Sequence, residues 1–224
     1  MSWSDNEEWL LIQAHKRTGK SAEELVALLN GYREQQKYPF DLFGSTLPAG
    51  DDVVLNETEM EICKLIGPKR TAAARAAGRV NMRKADPEKE KFIEINGLCG
   101  ELTYAKRHNL YPFGQFEVKA RSVRDDDGDH KHNGYVVDVK ITEYQTGALS
   151  YADWKKKDTA HFLCLVTGDY RIGSRFVIRG YMLSRELLAE DRLGAVARLP
   201  NQYGAEQREL YDLATVFKKL KEQP

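Results

Sequence analysis

Residues 125–142 read DDDGDHKHNGYVVDVKIT, and the folding of this stretch decides the architecture around it. Asn133-Gly134 is a strong hairpin signal, because a type I′ turn needs φ > 0 at both central residues. A two-residue loop there sets His132 against Tyr135, Lys131 against Val136, His130 against Val137 and Asp129 against Asp138. Side chains alternate along a strand, so Asp138 and Lys140 share one face while Val137, Val139 and Ile141 share the other. Opposed residues have Cβ atoms about 5 Å apart, and like charges so placed are destabilising. Two carboxylates side by side, with a lysine next to them, call for a positive partner, and a divalent cation is the natural one.

Working outward, Gln115–Val123 alternates as a preceding strand, and Asp125–Gly128 turns into the hairpin. His161–Thr167 (HFLCLVT) is an apolar run suited to a buried strand. Arg175–Leu183 (RFVIRGYML) is another, and Leu149-Ser150-Tyr151 starts an extended piece. Upstream, Asn56 or Thr58 caps a helix through Ile66, ended by Gly67-Pro68, and a second helical piece runs from Lys69 to Ala77. Asp86-Pro87 starts a long helix, with an acid at the N-cap and proline at N1, expected to reach about Asn109. Its stripe is Ile95, Leu98, Leu102 and Ala105. Gly97 and Gly100 cost that helix about 1 kcal/mol each against Ala, which makes sense where something approaches closely, and Glu101 is beside them. Ser184 is expected to cap a short helix through Leu188, and Glu209–Leu220 carries a final helical stripe. The order predicts an α+β (mixed α/β) domain over residues 53–224, with a central mixed, mostly antiparallel sheet flanked by helices.

Residues 1–45 read as a separate helical unit. Trp9, Leu10 and Ile12 mark one helix, Thr18-Gly19-Lys20 breaks it, and Ser21 with Glu24 forms a capping box for a second. The pair loosely resembles a helix-turn-helix unit, and an oligomerisation element reads the pattern equally well. Residues 39–54 carry two prolines and two glycines and are expected to be the linker.

Lys+Arg and Asp+Glu both number 34, so the global charge selects no partner. One stretch is unbalanced: Lys64 to Lys84 holds seven bases and no acid. Lys69, Arg70, Arg75, Arg79, Arg83 and Lys84 are its candidate phosphate-facing residues. No apolar run approaches a membrane span, and the N-terminus lacks the order of a signal peptide. Cys63, Cys99 and Cys164 read as reduced structural thiols of a cytoplasmic protein. His130 and His132 fall on the strand face opposite Asp129, and His108 and His161 have no partner legible in the sequence. The Asp125-x-Asp127-x-Asp129 spacing is not an EF-hand loop, since His130 stands where that loop needs glycine.

An Asp/Glu-x-Lys tripeptide alone is a chance-level signal, for the chain holds four of them. Asp138-Val139-Lys140 differs in lying on a β-branched strand, with an acid across a predicted turn and a helical glutamate upstream. Glu101 on a helix, then Asp129, then Asp138-Val139-Lys140 resemble the PD-(D/E)XK nuclease superfamily, with its restriction-endonuclease-like fold. GELTYAKRHNLY and GDHKHNGYVVDVKITEY are similar to small nucleases of that kind from phages and prokaryotes. Gly128 stands where a proline often precedes the first aspartate, which keeps Asp127 as a rival to Asp129.

The resemblance implies a Mg²⁺- or Mn²⁺-dependent deoxyribonuclease of a bacterial or phage-infected cell. Asp129, Asp138 and the Val139 carbonyl would ligate the metal, with Glu101 completing its shell directly or through water. Lys140 would orient the attacking water or stabilise transition-state charge, and Thr142 would help position substrate. DNA is the expected partner, and a homodimer would suit paired-strand cutting. The competing expectation is a non-catalytic nucleic-acid-binding module or regulator that keeps the fold.

Overall fold

A computed structural model of the chain describes residues 52–76, 78, 86–110, 128–153, 160–196 and 200–222. The chain partitions into two units, Met1–Thr46 and Leu47–Pro224, and every described residue belongs to the second. The expected N-terminal helices, the strand at 115–123, Asp127 and the basic residues Arg79, Arg83 and Lys84 lie outside the described residues.

Strand β1 (Asp52–Val54) precedes helix α1 (Glu57–Ala76) and helix α2 (Pro87–Arg107). Strands β2 (His130–His132), β3 (Tyr135–Thr142), β4 (Leu149–Ala152), β5 (Phe162–Thr167) and β6 (Arg175–Leu183) come next. The chain ends in the short helix α3 (Ser184–Leu187), strand β7 (Gln202–Ala205) and helix α4 (Leu213–Glu222). Five strands form one mixed sheet in the order β1-β6-β5-β3-β2, while β4 and β7 pair as a separate antiparallel sheet. Only β3 and β5 run parallel; the other pairs of the main sheet are antiparallel. The expected α+β architecture with a helix-flanked mixed sheet is therefore present. All six residues of β5 are buried, as expected of a strand covered on both faces.

Alternation sorts the sheet into two faces. Val137, Val139 and Ile141 align with Phe162, Cys164 and Val166 of β5. This is the face beneath α2, because a Cβ at Gly100 would come within 3.0 Å of the Ile141 Cβ. Asp138 and Lys140 align with Leu163 and Leu165 and point to the reverse face. There Leu163, Leu165 and Met182 join Leu149, Tyr151, Tyr203 and Ala205 of the small sheet in a buried cluster. Of the two glycines expected to mark a close approach, Gly100 does so, and a Cβ at Gly97 would meet nothing among the described residues.

Helix α2 begins as expected, with Asp86 accepting the Lys89 N–H at 2.8 Å and Pro87 at N1. At the start of α1, Asn56 rather than Thr58 is the cap. Its Oδ1 accepts the Glu59 N–H at 2.9 Å, and Glu59 Oε2 accepts the Asn56 N–H at 2.6 Å, a reciprocal box.

Four expectations are corrected. Gly67-Pro68 does not end α1, which runs through both. A Cβ at Gly67 would lie 3.0 Å from the Ile95 backbone, so α1 docks on α2 at this point. Burial of Cys63, Ile66 and Gly67 offsets the roughly 3 kcal/mol that an internal proline costs a helix. Asp52–Val54, expected in the linker, is an edge strand paired with Arg175–Val177. Ser184 begins α3 but makes no side-chain cap. The final helix starts at Leu213 because Tyr211 is committed to Tyr181, each N–H bonded to the other's carbonyl at 2.8–3.0 Å; Asp212 then caps Thr215.

No helix among the described residues is long and apolar enough to cross a membrane.

Candidate functional site

The hairpin forms with the expected two-residue loop. Asn133 and Gly134 have φ of 51° and 85°, and His132↔Tyr135, Lys131↔Val136 and His130↔Val137 pair in register. The ladder stops one step short of the expected Asp129↔Asp138 pair. The Asp129 N–H donates to the Val137 carbonyl at 2.8 Å, and Asp129 Oδ2 accepts the Val139 N–H at 2.7 Å. The side chain has taken over a ladder position at the sheet edge. Gly128 makes this turn with φ of 73°, a conformation that proline, fixed near −65°, cannot adopt.

The two acids are nevertheless neighbours, close enough for each to act on the other's titration. Burial lifts the Asp129 carboxyl to about 6, repulsion from Glu101 adds to this, and Lys140 and the Val139 N–H oppose it. Burial likewise lifts Asp138 to about 6 against the pull of Lys140. The Lys140 ammonium is ion-paired with Asp138 and lies 5.3 Å from the centre of the Tyr151 ring. A residue in a strand points its N–H and C=O to the same edge, so the Val139 carbonyl faces the edge where Asp129 sits and β2 has ended. Thr142 lies on the Lys140 face, and its Oγ1 accepts the Tyr144 N–H at 3.3 Å in the following turn.

Glu101 is placed differently from the other three. It belongs to α2, which covers the opposite face, and its carboxylate accepts a hydrogen bond from Arg70 at 2.9 Å. The His130 Nε2–H donates to the Glu101 carbonyl at 2.8 Å. Among the described residues no three His, Cys, Asp or Glu side chains group so as to hold a metal ion. Glu101 therefore does not join the aspartate pair in such a group among the described residues; it acts on Asp129 through its field.

The basic stretch also folds inward in part. Arg70 pairs with Glu101, the side chains being 19% and 11% exposed, and Glu101 holds the guanidinium firmly charged. Arg75 pairs with Glu90 across the two helices. Lys69 is half-buried, and burial lowers its ammonium pKa.

A second cluster was not legible from the sequence. Tyr104 of α2 lies among three histidines. His132 Nδ1 is hydrogen-bonded to Tyr104 Oη at 2.7 Å, the His130 ring is 5.1 Å from the Tyr104 ring, and the His108 ring is 4.6 Å away. His108 Nε2 and Tyr181 Oη are 2.8 Å apart. Burial pushes His108 down to about 3 and His130 to about 4, helped in both by repulsion from His132. His161 accepts the Val136 N–H at Nδ1, 3.0 Å. The alternation of His130 and His132 placed them on the face opposite Asp129, which α2 covers in the structure. The partners of His108 and His161, 73 and 25 residues away, left no local signal. The three cysteines are buried and free, and the neighbouring Cys99 together with burial raises the Cys63 thiol pKa.

Residues 45–174, more than half of the chain and including all four candidate catalytic residues and Arg70, match a family described as a family of unknown function (DUF5843). No curated protein and no solved structure matches the chain.

Proposed function

The chain belongs to this DUF5843 family, and from the geometry of its site we propose that it is a divalent-metal-dependent nuclease that hydrolyses phosphodiester bonds in DNA, built on a restriction-endonuclease-like core. One observation carries the reading. Two half-buried carboxyls, Asp129 and Asp138, are neighbours where β2 ends, on the edge that the Val139 carbonyl faces, with a lysine ammonium already drawn onto one of them.

This donor set fits Mg²⁺ or Mn²⁺. Magnesium is typically bound through one or two carboxylates, keeping several waters and taking further oxygens from phosphate. Asp129, Asp138 and the Val139 carbonyl would hold it. Such a cation supplies an activated water and polarises the phosphoryl group. Lys140, ion-paired with Asp138, would present an N–H to the oxygen on which negative charge develops. The Val139 N–H and Tyr151 fix the rotamers of Asp129 and Lys140. DNA as partner, a homodimer and a cytoplasmic setting belong to the same proposal.

A second reading has its own support. Each acid of the cluster has an internal basic or N–H partner, and no three-ligand group is present among the described residues. A structural ion-pair network in a non-catalytic nucleic-acid-binding module would look the same. The two are separated by incubating the purified full chain with single- and double-stranded DNA and RNA in Mg²⁺, Mn²⁺ or EDTA. Metal-dependent cleavage abolished by Lys140→Ala and by Asp138→Ala supports the nuclease. Cleavage that survives both refutes the site, and binding without cleavage selects the module.

A further inference from the structure

The Arg70–Glu101 ion pair has no role in a site made of Asp129, Asp138 and Lys140 alone. Resting on the metal-dependent reading above, we propose that this pair is a latch worked by the substrate phosphate. In the free protein Arg70 holds Glu101 on the α2 side of the sheet. A phosphodiester oxygen that takes Arg70 releases Glu101 to strengthen cation binding at Asp129 and Asp138.

Position supports this first. Arg70 lies in the field of Asp129 as well as Glu101, and Glu101 in turn acts on Asp129. The three groups sense one another although the acids form no three-residue metal-holding group among the described residues. Exposure supports it second. The Arg70 side chain keeps 19% of its surface exposed, so an anion can reach it without unfolding α1.

The supply of cations supports it third. Lys140 is committed to Asp138 and rests on Tyr151, which leaves Arg70 as the described cation beside the acids whose partner can be exchanged. Its planar fork suits phosphate oxygens as well as it suits a carboxylate.

Charge supports it last. With all groups ionised, Glu101, Asp129, Asp138, Arg70 and Lys140 carry one net negative charge. A divalent cation turns that into one net positive charge, and a phosphodiester monoanion cancels it. The site is near neutral only when cation and phosphodiester are both bound. Coupling of this kind is reciprocal, so each ligand must tighten the other by the same factor.

The test titrates Mn²⁺ into the full chain by calorimetry, with and without a cleavage-resistant phosphorothioate DNA duplex. In the wild type the duplex should tighten Mn²⁺ binding about tenfold. Glu101→Gln should bind Mn²⁺ weakly in both conditions, with the coupling lost. Arg70→Ala should bind Mn²⁺ as tightly without the duplex as the wild type does with it. Since Arg70→Ala leaves a buried carboxylate without its partner and threatens the fold, Arg70→Lys is the companion variant. It keeps the charge, lacks the fork and should lose most of the coupling.

Undiminished coupling in Arg70→Lys and Glu101→Gln would make the pair a structural brace and overturn the latch. Mn²⁺ binding that ignores the duplex in the wild type would overturn the latch and leave the metal reading standing. A wild-type chain that binds no Mn²⁺ in either condition would refute the metal reading and the latch together.

Discussion

Acidification should destabilise this fold through His108, and the size of the effect is set by where the imidazole sits. The ring packs against Tyr104, Tyr181 and His132 and bonds to the Tyr181 hydroxyl. Burial, with His132, Arg107 and His130 nearby, holds its pKa at about 3. In the unfolded chain the ring titrates near 6.5. Between those values the unfolded state binds a proton that the folded state refuses, so stability is full above pH 6.5 and falls as the pH drops toward 3. The slope is about 1.4 kcal/mol per pH unit, which gives about 2 kcal/mol at pH 5 from this group. His130, held at about 4, acts in the same direction. Asp129 and Asp138 act in the opposite direction. Their raised values near 6 mean that the folded state takes up protons first, so acidification from pH 7 relieves a cost. Comparing wild type with His108→Gln isolates the histidine, because the aspartates are common to both. Urea denaturation of each at pH 7 and pH 5 should show the variant losing about 2 kcal/mol less over that interval. In thermal melts this is about 4–8 °C for a unit of this size. An equal loss in both proteins, or an imidazole NMR signal that titrates near pH 6.5, would refute this role for His108.

Three further outcomes are expected. Lys140→Ala should lower metal-dependent cleavage by about a hundredfold or more in a gel assay, the scale for removing one stabilising charge from a transition state, with little change in the far-UV circular dichroism spectrum. Gly128→Ala should destabilise the fold by about 1–3 kcal/mol in chemical denaturation, because φ is 73° and a Cβ there would lie 2.4 Å from Val136 Cγ1. Asp86→Ala removes the α2 cap and should cost about 1 kcal/mol in the same measurement.

Where structure is set by neighbours a few residues apart, the sequence was sufficient. Asn133-Gly134 has one favourable turn, and the register through His130↔Val137 came with it. Asp86-Pro87 could only begin a helix. The period-two pattern of Tyr135–Thr142 told buried valines from half-buried Asp138 and Lys140. The same local reasoning failed at Pro68, where a propensity of a few kcal/mol was outweighed by docking on Ile95. It failed again at Tyr211, where a distant partner overrode a helical stripe.

The candidate site divides along the same line. That Asp129, Asp138 and Lys140 would share a neighbourhood was fixed by the hairpin, since all three lie within a dozen residues and alternation assigns their faces. Which face α2 would cover was not fixed. It depends on Gly100 meeting Ile141, a contact between residues 41 apart that leaves no trace in either segment alone. That packing places Glu101 on the helix across the sheet from the lysine, turns Arg70 from a surface base into a half-buried partner, and gathers His108, His130 and His132 around Tyr104. The sequence determined the carboxylate pair and its lysine, because strand geometry is local. Only the tertiary structure decided what surrounds them, because long-range packing chooses among faces that local chemistry leaves equivalent.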